Sequence, residues 1–355
     1  MQISTDILYD IIPTQNGNIG TITLNRPKAL NALSLAMIRS LDARLVQWAA
    51  DPAIKIVTIQ SSHEKAFCAG GDLKEIVHHK QKTNTTFSEI FWHEYRANYH
   101  IFHFPKPFVA LLDGITMGGG VGISIHGSYR VATENFSFAM PETKIGFYPD
   151  IGASYFLPRL PGKIGIYLGL TGARINAADA MYLGLIDYYV LSDNLNLVKD
   201  ELANSNLQPQ MIDSILKKYA SDPGPAPIKQ YQAIIDECFH FNSVEAIIQA
   251  LEKTSDPWAL TVVDQLKSLS PTSLKVTLEQ LHRGLTLNFD DCLQMEYCIT
   301  NHFLNSKDVY EGIRAVVIDK DHQPKWQPAT LAEVTQSHID TYFVSLTDND
   351  KLEFD

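Results

Sequence analysis

The stretch ITMGGGVGISIHG, Ile115–Gly127, contains three consecutive glycines and a fourth glycine shortly after them. It follows the continuous apolar run FVALL, Phe108–Leu112, which is typical of a strand buried on both faces. An apolar segment that predicts a short helix comes after the glycines. Glycine has no Cβ, so a glycine turn lets the backbone approach another group closely. The stretch therefore indicates either tight packing or a ligand-binding loop between a strand and a helix.

A second stretch, AFCAGGDL at Ala66–Leu73, has the same design, because an apolar segment turns through two glycines into a predicted helix. The first N–H groups of a helix lack partners within the helix. One N–H from each loop, converging on a single oxygen, would form an oxyanion hole. The alternative at this point is a pair of purely structural turns. Nucleotide binding is not supported, since GGGVG lacks the third glycine of GxGxxG and the chain contains no GxxxxGK[ST] motif.

Strands and helices alternate through the first half of the chain. The pattern predicts a β-hairpin around Asn16–Asn18, a helix from Ser34 and a strand at Ile54–Gln60. Beyond about residue 190 only helices and loops are predicted. We therefore expect the α/β fold class, with a core at residues 1–190 and a helical C-terminal region at 191–355 that packs on the core.

Composition excludes several classes of protein. The 355 residues carry a formal net charge of −11, which gives no general attraction to nucleic acid or to an anionic membrane. No apolar run approaches the ~20 residues of a membrane-spanning helix. The four cysteines are scattered and predict free thiols. The acidic N-terminus resembles neither a secretory signal nor an Arg-rich transit peptide, so we expect a cytoplasmic protein without nucleic-acid or membrane partners.

Two carboxylates stand eight residues apart in PETKIGFYPD, Pro141–Asp150. Glu142 and Asp150 both lie among proline, aromatic and apolar residues. An apolar environment raises the pKa of a carboxyl group and suits it to proton transfer near neutral pH. The alternative for each is a turn or helix-capping acid, and the pattern alone does not decide between the two.

Other reactive residues receive structural interpretations. Cys68 lies inside the first glycine loop but is expected to be a buried packing residue. His78, His79 and His93 lack a further ligand at a suitable spacing, so the sequence predicts no metal site.

The glycine stretches together resemble the crotonase, or enoyl-CoA hydratase/isomerase, superfamily. Five further blocks narrow the resemblance to its 3-hydroxyisobutyryl-CoA hydrolase branch, over residues 7–345. These blocks are RPKALNALS, FAMPETKIGFYPDIGASYFLPRLPG, LTGARINAADAMYLGLIDYYV, SPTSLKVTLEQLHRG and EGIRAVVIDKDHQPKWQP. The resemblance implies a spiral core of crotonase-like ββα repeats, an extended helical C-terminal part, an acyl-CoA substrate and a possible homo-oligomer.

The resemblance also implies residue roles. The N–H groups of Gly71 and Gly119 form the oxyanion hole, Glu142 and Asp150 are the catalytic acids, and Glu94 contacts the substrate. The loop residues expected to line the substrate are Ala69, Gly70, Asp72, Gly118 and Gly120. Hydratases of the superfamily carry a glutamate at the position of Gly122, so the chain departs from the hydratase pattern there.

The expected reaction is hydrolysis of 3-hydroxyisobutyryl-CoA, or of a similar short 3-hydroxyacyl-CoA, in valine catabolism. CoA is part of the substrate, and no separate cofactor is expected. Lys28 is the leading candidate for a CoA phosphate. Arg26, near the same loop, is a further candidate, and Lys320, Lys325 and Arg159 are weaker ones. The alternatives are an enoyl-CoA hydratase or isomerase with Glu142 as its only base, and a non-catalytic binding protein of the same fold.

Overall fold

The computed structural model describes residues 5–345 and 351–354 of the chain. They form two compact units, each assembled from three separate segments. The first unit contains the segments up to Gly71, Arg96–Phe138 and Ile175–Pro227. The second contains Asp72–Tyr95, Ala139–Arg174 and the chain from Ile228 onward. The division predicted at residue 190 stays a prediction.

Ten strands occur in the described part of the chain. Their bounds are β1 Ile7–Thr14, β2 Gly17–Leu24, β3 Ile54–Ser61, β4 Ala66–Cys68, β5 Phe108–Leu112, β6 Ile115–Met117, β7 Tyr129–Ala132, β8 Ser137–Ala139, β9 Ile175–Asn176 and β10 Tyr188–Tyr189. The predicted hairpin is confirmed, because β1 and β2 pair antiparallel from Ile7 with Leu24 to Thr14 with Gly17.

The α-helices are α1 Leu35–Ala50, α2 Leu73–Thr83, α3 Ser88–Phe102, α4 Gly119–Ile125, α5 Ala153–Phe156, α6 Ile164–Thr171, α7 Ala177–Tyr182, α8 Leu195–Ala203, α9 Pro209–Tyr219, α10 Gln232–Cys238, α11 Val244–Thr254, α12 Pro257–Ser268, α13 Pro271–Gly284, α14 Phe289–Asn305, α15 Asp308–Ile313 and α16 Gln336–Thr341. As predicted, α1 begins after Ser34, whose hydroxyl accepts a hydrogen bond from the Met37 N–H at 3.3 Å.

The first unit is built on a six-stranded sheet in the order β1-β2-β3-β5-β7-β10. All pairs after the hairpin are parallel, and β5 is buried at every residue, as the apolar run predicts. One face of this sheet contributes Ile56, Val109 and Val131 to a core that also includes Val198 of α8 and Ile215 of α9. Residues beyond 190 thus complete the core of the first unit.

A second sheet has the order β4-β6-β8-β9, and its strands are only two or three residues long. Strands β4 and β6 are parallel, with Ala66 opposite Ile115 and Cys68 opposite Thr116. Parallel neighbours end at the same edge of a sheet. The pairing therefore places the two glycine loops, which follow β4 and β6, next to each other.

The second unit is mainly helical. Helix α13 packs against α5 and α6, and α14 packs against α5. The close approach of α13 requires Gly284, because a Cβ at that position would overlap the carbonyl oxygen of Ser154. Both helices are buried along most of their length, which brings polar side chains of α14 into the interior of this unit.

Candidate active site

The two glycine loops meet at the edge of the second sheet in the first unit. A Cβ built on Gly70 would lie 3.3 Å from the Met117 carbonyl oxygen and 3.7 Å from the Gly119 nitrogen. Gly70 has φ +111° and Gly118 has φ +49° with ψ −127°, conformations that side chains with a Cβ rarely adopt. The glycines at these two positions are therefore required by the backbone itself.

The amide groups of Gly71 and Gly119 are available for a ligand. Gly119 is the first residue of α4, so its N–H has no acceptor within the helix. Gly71 aligns with Leu33 in an isolated parallel bridge, in which the hydrogen bond runs from the Leu33 N–H to the Gly70 carbonyl at 2.8 Å. Neither amide donates a hydrogen bond to another of the described residues. Two such donors in adjacent loops fit an oxyanion hole.

The other loop residues have structural explanations. The Ala69 N–H donates to the Leu30 carbonyl at 3.0 Å. Asp72 is the N-cap of α2, and its Oδ1 accepts from the amides of Lys74 and Glu75 at 3.1 and 3.3 Å. A Cβ on Gly120 would overlap the carbonyl oxygen of Cys68. Contact of Ala69, Asp72 or Gly120 with substrate stays a prediction.

The cations proposed for CoA phosphates differ in their surroundings. Lys28 is exposed in the turn that precedes Leu30. Arg159 has a structural role, because its guanidinium donates hydrogen bonds to the carbonyl oxygens of Tyr155, Gly284, Leu285 and Leu287. Cys68 is fully buried with its Sγ 3.1 Å from the Asn31 carbonyl, which agrees with the predicted packing role.

The second unit contains a cluster of buried carboxyl groups. Glu94 of α3 is 4% exposed, Glu142 in a 3₁₀ turn is 7% exposed, and Asp150 is 5% exposed. Burial raises the pKa of Asp150 to about 7. Burial first, and then the charge of Asp150, hold the pKa values of Glu94 and Glu142 well above the ordinary value. Burial therefore favours the protonated form of all three carboxyl groups, and raised pKa values of this kind are typical of general acids and bases.

Two oxygens of this cluster have no hydrogen-bond partner among the described residues, namely Glu94 Oε1 and Glu142 Oε2. Buried polar atoms are normally paired, since leaving one unpaired costs about 1–3 kcal/mol. Unpaired carboxyl oxygens at a raised pKa point to a bound molecule that completes their hydrogen bonding. Asp150 does not cap the helix that follows it, because the N-cap of α5 is Gly152.

The turn that carries Glu142 packs closely against α15. A Cβ on Gly312 of α15 would overlap Ile145, and a Cβ on Gly146 would overlap the Asp308 carbonyl. Asp308 is itself buried and accepts from the Ser270 hydroxyl at 2.7 Å. The C-terminal helices of the second unit thus set the position of Glu142.

Asp150 is surrounded by hydroxyl groups that sequence reasoning missed. Tyr95, Tyr148 and Thr300 are all buried, and the Tyr95 hydroxyl lies 2.6 Å from Asp150 Oδ2, to which it donates when the carboxylate is ionised. The residue after Asp150, Ile151, has φ +56°, which is rare for a β-branched side chain. A turn strained in this way requires support from its surroundings.

Glu296 of α14 supplies that support. Its Oε2 accepts from the Gly152 N–H at 2.7 Å, and its Oε1 accepts from the N–H and the hydroxyl of Ser154 at 2.9 and 2.5 Å. Burial raises the pKa of Glu296 to about 8. The sequence signal for Glu296 and Thr300 was limited to their positions four residues apart on one helix.

Comparison with known proteins places this chain in a family. The sequence model of the enoyl-CoA hydratase/isomerase family matches residues 19–343. The chain belongs to this family, and the resemblance seen in its glycine loops is confirmed.

Curated relatives narrow the similarity further. The chain is 43% identical to a mitochondrial 3-hydroxyisobutyryl-CoA hydrolase of Rattus norvegicus, over 96% of this chain and 90% of the relative. It is 41% identical to the mitochondrial 3-hydroxyisobutyryl-CoA hydrolase of Homo sapiens, over 99% of this chain and 92% of the relative.

Two solved structures share the fold over nearly the whole length. One is a carnitinyl-CoA dehydratase from Mycobacterium thermoresistibile, with 38% identity, a TM-score of 0.91 and coverage of 99% of both chains. The other is an enoyl-CoA hydratase from Rhodobacter sphaeroides, with 34% identity, a TM-score of 0.87 and coverage of 99% of this chain and 100% of that one. The predicted α/β crotonase fold with additional C-terminal helices is confirmed. Within the described residues, no helix has the length and apolar character needed to cross a bilayer.

Proposed function

We propose that this protein hydrolyses the thioester of 3-hydroxyisobutyryl-CoA, or of a similar short 3-hydroxyacyl-CoA, to the free acid and CoA. The observation that carries the proposal is the cluster of Glu94, Glu142 and Asp150, buried together with raised pKa values and unpaired oxygens. The similarity to hydrolases of that name over nearly the full length supports the choice of substrate. Valine breakdown would be the source of this acyl group.

Each group has a role that fits its surroundings. The unpaired amides of Gly71 and Gly119 stabilise the negative charge that develops on the thioester oxygen. Glu142, as the carboxylate, removes a proton from water or attacks the carbonyl carbon to form an anhydride that water then opens. Asp150 binds the 3-hydroxyl group or assists proton transfer, and Glu94 orients the short acyl group.

Release of free thiol from 3-hydroxyisobutyryl-CoA tests the proposal. The native protein should release CoA, and Glu142→Gln should lower kcat by at least ~10²-fold, since the amide neither accepts a proton nor attacks carbon. Glu237→Gln, at an exposed position on α10, is the matched control. No thiol release by native protein that is folded and binds the thioester would contradict the proposal.

A single turnover in ¹⁸O-labelled water separates the two routes. Label in the carboxyl group of Glu142 would establish the anhydride. Label in the free acid alone would establish direct attack by water.

The second candidate is hydration or isomerisation of an enoyl-CoA, which the names of the two solved structures favour. Gly122 argues against hydration, because the position that carries a second glutamate in hydratases of the superfamily has no side-chain carboxyl in this chain. An assay of crotonyl-CoA hydration, in which the loss of the enoyl absorbance is measured, distinguishes this candidate from hydrolysis.

A further inference from the structure

Four oxygen–oxygen contacts of hydrogen-bond length link Asp150 to the backbone of α14. Tyr95 Oη lies 2.6 Å from Asp150 Oδ2 and 2.6 Å from Thr300 Oγ1. Tyr148 Oη lies 2.8 Å from Thr300 Oγ1 and 2.5 Å from the carbonyl oxygen of Glu296. The two tyrosine oxygens are 3.4 Å apart, too far for a normal hydroxyl hydrogen bond. The contacts form one unbranched chain from the carboxyl group to the carbonyl.

The number of protons in this chain depends on the state of Asp150. The Glu296 carbonyl only accepts, so Tyr148 donates to it and is left to accept from Thr300. If Asp150 is ionised, Tyr95 must donate to it, and three hydroxyl protons then serve four contacts. One contact at Thr300 would hold two oxygens together without a proton between them. If Asp150 is protonated, each of the four contacts has one proton, and every hydrogen bond is donated in the direction of the Glu296 carbonyl.

We propose that Thr300, which accepts the Tyr95 proton, and Tyr148, which accepts the Thr300 proton, are positioning residues that hold Asp150 as the neutral carboxylic acid, with its proton on Oδ2. Its Oδ1 is then the oxygen that accepts a hydrogen bond from the substrate. No proton leaves along the chain, because the chain ends on a backbone carbonyl. The inference rests on the proposed thioester hydrolysis for its meaning in catalysis, and on the four contacts for its geometry.

A neutral Asp150 has a direct effect on Glu142. Burial raises the pKa of Glu142 most, and the charge on Asp150 is the next largest influence that raises it. When Asp150 is neutral this influence is absent, so the negative charge of the cluster resides more readily on Glu142. Glu142 must carry that charge to act as base or nucleophile. The hydroxyl chain thereby divides the two acids into a neutral binding group and a charged reactive group.

The groups that face Asp150 are consistent with a protonated carboxyl, since all of them are acids or phenols. From the elements around it these are Glu94 and Tyr95 of α3, Glu142 of the 3₁₀ turn, Tyr148 of its own loop and Glu296 of α14.

Infrared difference spectroscopy of the carboxylic-acid C=O band, followed through a pH titration of substrate-free protein, tests the inference. Asp150→Asn identifies the band. In Thr300→Val, Asp150 is the acceptor left to the Tyr95 proton at normal hydrogen-bond length, since Tyr148 Oη is 3.4 Å away, so the band should disappear at a pH lower by about 1 unit. Tyr95→Phe removes the donor to the carboxylate, so the band should persist to higher pH. The two variants thus shift the midpoint in opposite directions.

Thr277→Val is the matched control. Thr277 is also fully buried on a helix of the second unit, and its hydroxyl has no hydrogen-bond partner among the described residues. Thr277→Val should leave the midpoint of the Asp150 titration at its native pH. Thr300→Ser keeps the hydroxyl and should therefore titrate like the native protein. An unchanged or raised midpoint in folded Thr300→Val, or no protonated Asp150 in the native protein at pH 6, would overturn the inference. The titration needs no turnover, so it stands apart from a failure of thiol release.

Discussion

Replacing Gly71 with alanine should change the catalytic rate without lowering the stability of the first glycine loop. A Cβ on Gly71 meets no heavy atom within 4 Å, and Gly71 does not have a positive φ. Alanine therefore fits, and by restricting the unfolded chain it should raise the free energy of unfolding by about 0.4–1 kcal/mol. In the proposed reaction we expect the thioester oxygen to approach the Gly71 amide through this open space. Displacing that oxygen removes one oxyanion donor, which lowers kcat about 10²–10³-fold.

Gly120→Ala is the contrasting variant in the neighbouring loop. Its Cβ would overlap the Cys68 carbonyl, so it should lower the free energy of unfolding by about 1–3 kcal/mol. Thermal unfolding and thiol release measured on both variants give the comparison. A Gly71→Ala protein with native kcat and kcat/KM would refute the oxyanion role of Gly71. A markedly lowered Tm in that variant would refute the reading of the open space.

Asp150, Gly312 and Lys28 each offer a separate test of the site. The folded pKa of Asp150, about 7, lies above its ordinary 3.8, so the folded state loses stability as pH rises from 3.8 toward 7. At about 1.36 kcal/mol per pH unit the loss is about 4 kcal/mol, so Asp150→Asn should raise the free energy of unfolding at pH 8 by up to about that amount in urea unfolding, and no gain would contradict burial as the cause. Gly312→Ala should displace the Glu142 turn and lower both Tm and kcat, whereas unchanged kcat would show that α15 does not position Glu142. Lys28→Ala should raise KM for the CoA thioester at low salt. It should not raise KM for the pantetheine thioester, which lacks the nucleotide phosphates. Equal effects on both substrates would contradict a role of Lys28 in phosphate binding.

The long elements of the fold could be predicted from the sequence, because their periodicity is strong. Helix α1, with its Ser34 cap, and strand β5 lie where the apolar patterns indicate. Strands β4 and β6 were predicted only as parts of loops, since three residues cannot establish an alternating pattern. These short strands nevertheless bring the two glycine loops together.

The candidate site was predictable in part. Acids in apolar surroundings, such as Glu142 and Asp150, stand out in a sequence, and both are buried with raised pKa values. Their catalytic roles stay predictions. Thr300 and Glu296 were not predictable, because one hydroxyl and one carboxyl on a helix resemble ordinary surface residues. Only the packing of α14 in the second unit shows that both are turned inward.

The hydroxyl chain and the Glu296 carboxylate contacts around Asp150 join residues that are far apart in the order of synthesis. Tyr95 and Thr300 are separated by 205 positions, and Gly152 and Glu296 by 144. A ribosome therefore releases the segment with Asp150 long before the helix that completes its surroundings. Nascent and prematurely terminated chains would hold an incomplete carboxyl cluster, so hydrolytic activity should arise only after α14 has emerged and folded.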